Sequence, residues 1–271
     1  MCLLSYLPPR TQPDMQALYN GTFWNRDGHG YAIVAGERIL VHRGMGAEAV
    51  LEGFERDRAE HPDGPALFHS RLATDGDVHL ANCHPFPVGQ DPRTVIAHNG
   101  MLPNDVVPAR DDIRSDTRIC AENFIPRRLG SLHTARSRRR LSTWMGRLNK
   151  IVILTVDPRY AARAYILNEE AGIWHRGTWY SNDTFEPSPL LEVAWHDLDT
   201  TSAQNRLGSN GFGGGEHDGL DGRYAIAGDR VRECGVCLSA VPADERGCSA
   251  CGDCLICSGH HRPGPCTALT P

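Results

Sequence analysis

Short apolar runs, broken every few residues by glycine, proline or a charge, dominate the first two thirds of the chain. Tyr31–Ala35 and Arg38–His42 flank Gly36-Glu37, a two-residue hairpin signal. Ala66–Ser70 and Thr94–His98 read as further strands, and Cys2-Leu-Leu-Ser-Tyr6 as the start of a buried one. Ile151–Val156 predicts a strand buried on both faces. Arg163–Leu167 and Gly172–His175 follow around the turn Asn168–Ala171. Helical spacing is rarer. One helix is expected from Ala47 towards Ala59, and another begins near Ser115-Asp116, where either side chain can cap it. A third spans roughly His133 to Leu148, with Leu141, Trp144, Met145 and Leu148 on one apolar face. Helical segments set among hairpins predict a layered α+β domain.

With 271 residues, 40% apolar and 23% charged, the chain has the composition of a globular protein holding one large domain and an appendage. The net charge of -5 gives no general attraction to nucleic acid or anionic membrane. No apolar run is long enough to span a bilayer, and Pro8, Pro9 and Arg10 interrupt any leader-like start. A cytoplasmic protein with reduced cysteines is expected. Positive charge is concentrated locally. Arg127, Arg128, Arg136, Arg138, Arg139, Arg140, Arg147 and Lys150 occupy a stretch with no acidic residue between Ile125 and Lys150. It reads either as a solvated helix face or as a contact for an anionic substrate, nucleic acid or acidic partner.

Of the 10 cysteines, only Cys2, Cys83 and Cys120 precede Cys234. The asymmetry divides the chain into a domain over 2–200, a glycine-rich linker over 201–232 containing Gly208–Gly215, and a cysteine-rich module over 233–271. Cys234-Gly-Val-Cys237 and Cys248-Ser-Ala-Cys251 have the spacing of a zinc site, in which two tight turns supply four thiolates. Cys254, Cys257, His260 and Cys266 (with His261 beside them) supply ligands for a second site, whether the doublets pair in sequence or interleave. The competing readings are an iron–sulfur cluster, because Cys248, Cys251, Cys254 and Cys257 recur every third residue, and disulfides. Structural Zn2+ is the expected cofactor. A ribbon that binds nucleic acid or a partner is the sharper reading of the module, but its balanced charge gives nucleic acid no electrostatic support.

Cys2 carries the most chemistry. Trimming of Met1 leaves a residue with a thiol nucleophile and an α-amine that titrates near neutrality, so the amine can take the thiol proton. Three further segments supply what a thiol-dependent amide hydrolase needs. His69–Gly76 is a strand ending in a polar turn, where Arg71 offers a fork for a carboxylate. Ala97–Met101 runs into Asn99-Gly100, whose side-chain amide and backbone N–H can face an oxyanion. Arg114–Thr117 places Asp116 at a helix start, where it can receive an ammonium group.

This set resembles the class II glutamine amidotransferase domain, an N-terminal-nucleophile hydrolase. Its Arg-x-Ala-Thr-x-Gly turn is matched by Arg71, Ala73, Thr74 and Gly76, and its Asn-Ala-His-Pro segment by Asn82-Cys-His-Pro85. His98, Asn99 and Gly100 match its oxyanion motif, and Asp116 with Thr117 its Asp-Thr pair. All lie in family order behind Cys2, over about residues 2 to 185. There are departures: Cys2-Leu-Leu replaces Cys-Gly-Ile, Asp75 stands where histidine is frequent, and Asn25–Gly30 only loosely echoes the family's Arg-Gly-x-Asp segment.

The resemblance implies a four-layer αββα N-terminal-nucleophile sandwich. It also implies catalytic Cys2, Asn99 and Gly100, substrate contacts from Arg71, Thr74 and Asp116, and no cofactor for the amidohydrolase chemistry. Glutamine is the expected substrate, hydrolysed through a Cys2 thioester, with ammonia passed to a separate synthase or ligase. The other readings are hydrolysis of a different γ-glutamyl amide, or a zinc-dependent adaptor whose amidohydrolase domain is inactive.

Overall fold

A computed structural model describes residues 2–74 and 76–187, together with the backbone of two short strands, Val231–Glu233 and Ala240–Pro242. The chain divides into two units after Pro187. In the second unit the two short strands pair antiparallel, Arg232 opposite Val241. The expected linker, apart from Val231 and Arg232, and all eight expected metal ligands (Cys234, Cys237, Cys248, Cys251, Cys254, Cys257, His260 and Cys266) lie outside the described residues, as does Asp75.

The first unit is built on two antiparallel sheets. One contains β1 (Leu3–Leu7), β2 (His29–Ala35), β3 (Arg38–Gly44), β4 (Ala66–Ser70), β9 (Ile173–His175) and β10 (Thr178–Tyr180), in the order β3-β2-β4-β1-β10-β9. The other contains β5 (Phe86–Val88), β6 (Asp91–Asn99), β7 (Lys150–Thr155) and β8 (Ala164–Leu167), in chain order. Helices α1 (Met15–Trp24) and α2 (Ala47–Glu60) belong to the first sheet's outer side. On the other side lie α4 (Ala135–Met145) and α3 (Asp116–Ile119), which continues as a π-helix over Cys120–Leu129.

Strand alternation explains the layering. Along β1, Leu3 and Leu7 join Leu18, Val50 and Phe54 of the helices, whereas Leu4 joins a cluster between the sheets. Tyr31 and Ile33 of β2 face the helices while Ala32 and Val34 face inward; Ile151 and Ile153 of β7 likewise pack on Leu141 and Met145, with Val152 and Leu154 inward. β1, β2 and β7 are thus buried on both faces, which is why the sequence shows continuous apolar runs there instead of alternation. Three apolar clusters separate four layers. Truncating a leucine in the middle cluster, such as Leu4, is expected to cost about 2–5 kcal/mol.

One sequence expectation is corrected, and one helix is added. Helix α4 ends at Met145, because Gly146 turns the chain at φ 78°, so Leu148 leaves the apolar face and is 83% exposed. Helix α1 was not foreseen; Asp14 caps it, its Oδ1 accepting from the Ala17 N–H at 3.1 Å. Among the described residues no helix is long and apolar enough to cross a membrane.

Candidate active site

Antiparallel pairing brings the chemistry to one end of the sandwich. Leu3 lies opposite Ser70, so β1 begins where β4 ends, and Cys2 comes beside Arg71 and Leu72. One small cavity is lined by Cys2, Arg71, Thr74, Gly100 and Asp116, five of the six residues singled out for chemistry in this domain, along with His84, His98 and Thr117. The sixth, Asn99, lies one residue before Gly100 and is 1% exposed.

Among the described residues the Cys2 thiol is held by Leu72: its N–H donates to Sγ at 3.3 Å, and the thiol donates to its carbonyl at 3.5 Å. Burial pushes its pKa up, opposed by the Leu72 hydrogen bond and by the positive charge of Arg71. Arg71 is buried, and its guanidinium donates to the Asp77 carbonyl at 3.0 Å. Its backbone is locked to the loop after α1, with the Arg71 N–H on the Gly28 carbonyl and the Asp27 N–H on the Arg71 carbonyl. The Asp27 carboxylate also accepts from the Ala73 N–H at 2.7 Å. Arg26, by contrast, stacks over Phe23 at 4.6 Å, so Asp27 is the residue of that loop that supports the site.

Ser115 and not Asp116 caps α3, its Oγ accepting from the Arg118 N–H at 3.2 Å. Asp116 is thereby left to face the cavity, where its carboxylate accepts from the N–H groups of Leu102 and Thr117. Asn82 ties the two walls together. Its amide donates to the Asp77 and Ile113 carbonyls, and its oxygen accepts from the Ser115 N–H at 3.0 Å. Two glycines are dictated by geometry. At Gly76 (φ +73°) a Cβ would come within 2.8 Å of Arg114 O and Ser115 N, and at Gly100 (φ +142°) it would collide with the Asn149 side chain.

Behind the cavity lie buried imidazoles. The His98 N–H donates to His84 Nδ1 at 3.3 Å, and His69 Nε2 donates to the His98 carbonyl at 3.0 Å. Asn149 Oδ1 accepts from His98 Nε2, and His98 Nδ1 shares a hydrogen bond of 2.9 Å with the Thr117 hydroxyl, which also reaches the Asp116 carboxylate at 3.1 Å. Burial pulls His69 down to about 3 and His29, bonded to Ser70, to about 4; His84 lies well below its ordinary value for the same reason. These rings are neutral at pH 7 and serve as fixed dipoles.

Besides Asp27, two site-building residues escape sequence reasoning. Ser181, directly after β10, accepts from the Leu4 N–H at 2.9 Å and from Asn99 Nδ2 at 2.7 Å. Asn182 donates to the Cys2 carbonyl at 2.7 Å. Both look like ordinary loop residues in sequence; only the pairing of β10 with β1 gives them meaning. Among the described residues Asn99 Oδ1 has no hydrogen-bond partner, and the side chain of this residue is fixed through Ser181.

No protein-family model matches the chain, and neither does any curated protein. Among solved structures it is similar to glutamine phosphoribosylpyrophosphate amidotransferase from B. subtilis, with 20% identity, TM-score 0.41 and 58% of this chain covered. A structure described as the allosteric regulatory enzyme of purine biosynthesis gives 21% identity, TM-score 0.42 and 58% coverage. The matches span 35% and 36% of those chains. A glutamine aminotransferase class-II domain protein from Silicibacter pomeroyi gives 18% identity, TM-score 0.32, and coverage of 58% of this chain and 73% of that one. With overlap this partial, what the chain does rests on its own site.

Proposed function

We propose that this chain is a class II glutamine amidotransferase that hydrolyses the side-chain amide of glutamine through Cys2 and supplies ammonia to a separate synthase or ligase. The observation that carries the reading is the convergence of Cys2, Arg71, Thr74, Gly100 and Asp116 on one cavity from four distant stretches of sequence. Arg71 holds the α-carboxylate and Asp116 the α-ammonium, which sets the side-chain amide against Sγ and turns a bimolecular attack into a positioned one. The cavity is only about 20 Å3, room for one water, so its walls must move apart to admit glutamine.

Once Met1 is removed, the Cys2 amine takes the thiol proton as sulfur attacks the amide carbon. The neighbouring imidazoles are poor acceptors, because bases with pKa values as low as that of His69 hold few protons at pH 7. The Gly100 N–H and the Asn99 amide stabilise the oxyanion. The amine returns its proton to the departing nitrogen, ammonia leaves, and water attacks the γ-glutamyl thioester to release glutamate and regenerate the thiol. A structural zinc module over 233–271 completes the proposal, on cysteine spacing alone.

Cys2→Ala is expected to abolish glutaminase activity with the circular dichroism spectrum unchanged. Protein whose intact mass retains Met1 yet turns over glutamine overturns the mechanism. Faster turnover of bulky γ-glutamyl amides than of free glutamine reassigns the substrate.

A further inference from the structure

Away from the Cys2 cavity, and sharing no residue with it, lies a groove of about 660 Å3 between α4 and the π-helical segment. Arg136, Arg139, Arg140 and Thr143 stand at i, i+3, i+4 and i+7 along α4, so they form one stripe opposite the buried Ser137, Leu141 and Met145. The π-helix contributes Arg128 and Phe124, and Phe124 stacks on Trp144 with centroids 3.9 Å apart and planes at 22°. Together the pair makes an aromatic wall under a fork of guanidinium groups.

Nothing in folding calls for this arrangement. Like charges three and four residues apart repel, and Arg136 sits in the first helical turn, where the helix dipole favours an acid. None of Arg128, Arg136, Arg139 and Arg140 makes an ion pair among the described residues. The one carboxylate lining the groove, Asp105, accepts from Trp144 Nε1 at 2.9 Å and so steadies the ring. By contrast Arg114 and Arg118 nearby are paired with Asp112 and Glu122.

We propose that this groove binds a small ligand carrying two or more phosphate groups and a planar ring, the chemistry of a nucleoside di- or triphosphate. Planar guanidinium forks match phosphate oxygens bidentately, and the Trp144 face suits a base. The volume lies in the range of small-molecule sites. The chain's net charge of -5 disfavours a long polyanion, which would have to approach the acidic remainder of the surface.

The test is calorimetry and tryptophan fluorescence on the full chain with ATP, inorganic tripolyphosphate and adenosine. ATP is expected to bind and to quench fluorescence, tripolyphosphate to bind more weakly, and adenosine weakest. Arg139→Ala with Arg140→Ala, both exposed positions, is expected to weaken ATP at least about tenfold with an unchanged circular dichroism spectrum. Trp144→Phe is expected to keep calorimetric binding and lose most of the quenching. No heat and no quenching with ATP, equal binding by the double variant, or tighter binding of a mixed-sequence single-stranded RNA than of ATP overturns the proposal.

Discussion

Replacing Ser181 with alanine tests whether the end of β10 organises the catalytic apparatus. The hydroxyl oxygen accepts from two buried donors, the Leu4 N–H and Asn99 Nδ2. Removing it leaves both unsatisfied, at about 1–3 kcal/mol each, or roughly 2–6 kcal/mol in all. A domain near the middle of the ordinary range of about 5–15 kcal/mol stays folded through such a loss. Loss of a whole oxyanion donor lowers kcat about 10²–10³-fold; here Asn99 remains but loses its anchor, so about ten- to a hundredfold is expected. Neither Arg71 nor Asp116 is bonded to Ser181, so KM should barely change. Urea unfolding supplies the stability loss, and steady-state glutaminase kinetics supply kcat and KM. In an Asn99→Ala background the same substitution should have little further effect on kcat. If Ser181→Ala leaves kcat unchanged, or lowers it equally in both backgrounds, its link to Asn99 has no catalytic role.

Three other outcomes follow from the geometry. Gly76→Ala should raise KM for glutamine at least several-fold, since its Cβ would press on Arg114 O and Ser115 N and move the Arg71 and Asp116 walls apart; an unchanged KM refutes this. His29 and His69 are buried neutral, with folded pKa values of about 4 and about 3, below the ordinary value near 6.5. The unfolded chain therefore binds the extra protons, and stability that is complete above about pH 6.5 should fall towards pH 4, each histidine contributing a slope of up to about 1.4 kcal/mol per pH unit. Urea midpoints that stay flat from pH 7 to pH 5 would contradict buried neutral rings. Metal analysis of the full chain should return about one or two zinc ions, and a brown protein containing iron would replace the zinc assignment.

Much of the fold is legible because its central strands are buried on both faces. Tyr31–Ala35, Ala66–Ser70 and Ile151–Thr155 announce themselves as apolar runs, and Gly36-Glu37 marks the β2–β3 hairpin. Helix α1 is hidden because its buried face includes Asn20, Gly21 and Thr22, polar or small residues that carry no helical periodicity. Only its Asp14 cap was available as a signal. The π-helical stretch is masked by Pro126, which ordinarily ends a helix. In the site, Arg71, Asn99 and Asp116 could be found because their chemistry is written into short local motifs. Asp27, Ser181 and Asn182 could not, since each acts by bonding the backbone or side chain of a residue distant in sequence.

The strand that carries Cys2 is interior to its sheet, with β4 on one side and β10, the last strand of this unit to be synthesised, on the other. A growing polypeptide therefore has no finished reaction centre until residues 178–182 have left the ribosome, long after the nucleophile itself has emerged. Premature chains ending before that point should be inert towards amides, so the thiol is armed only in a domain whose synthesis has passed its closing strand.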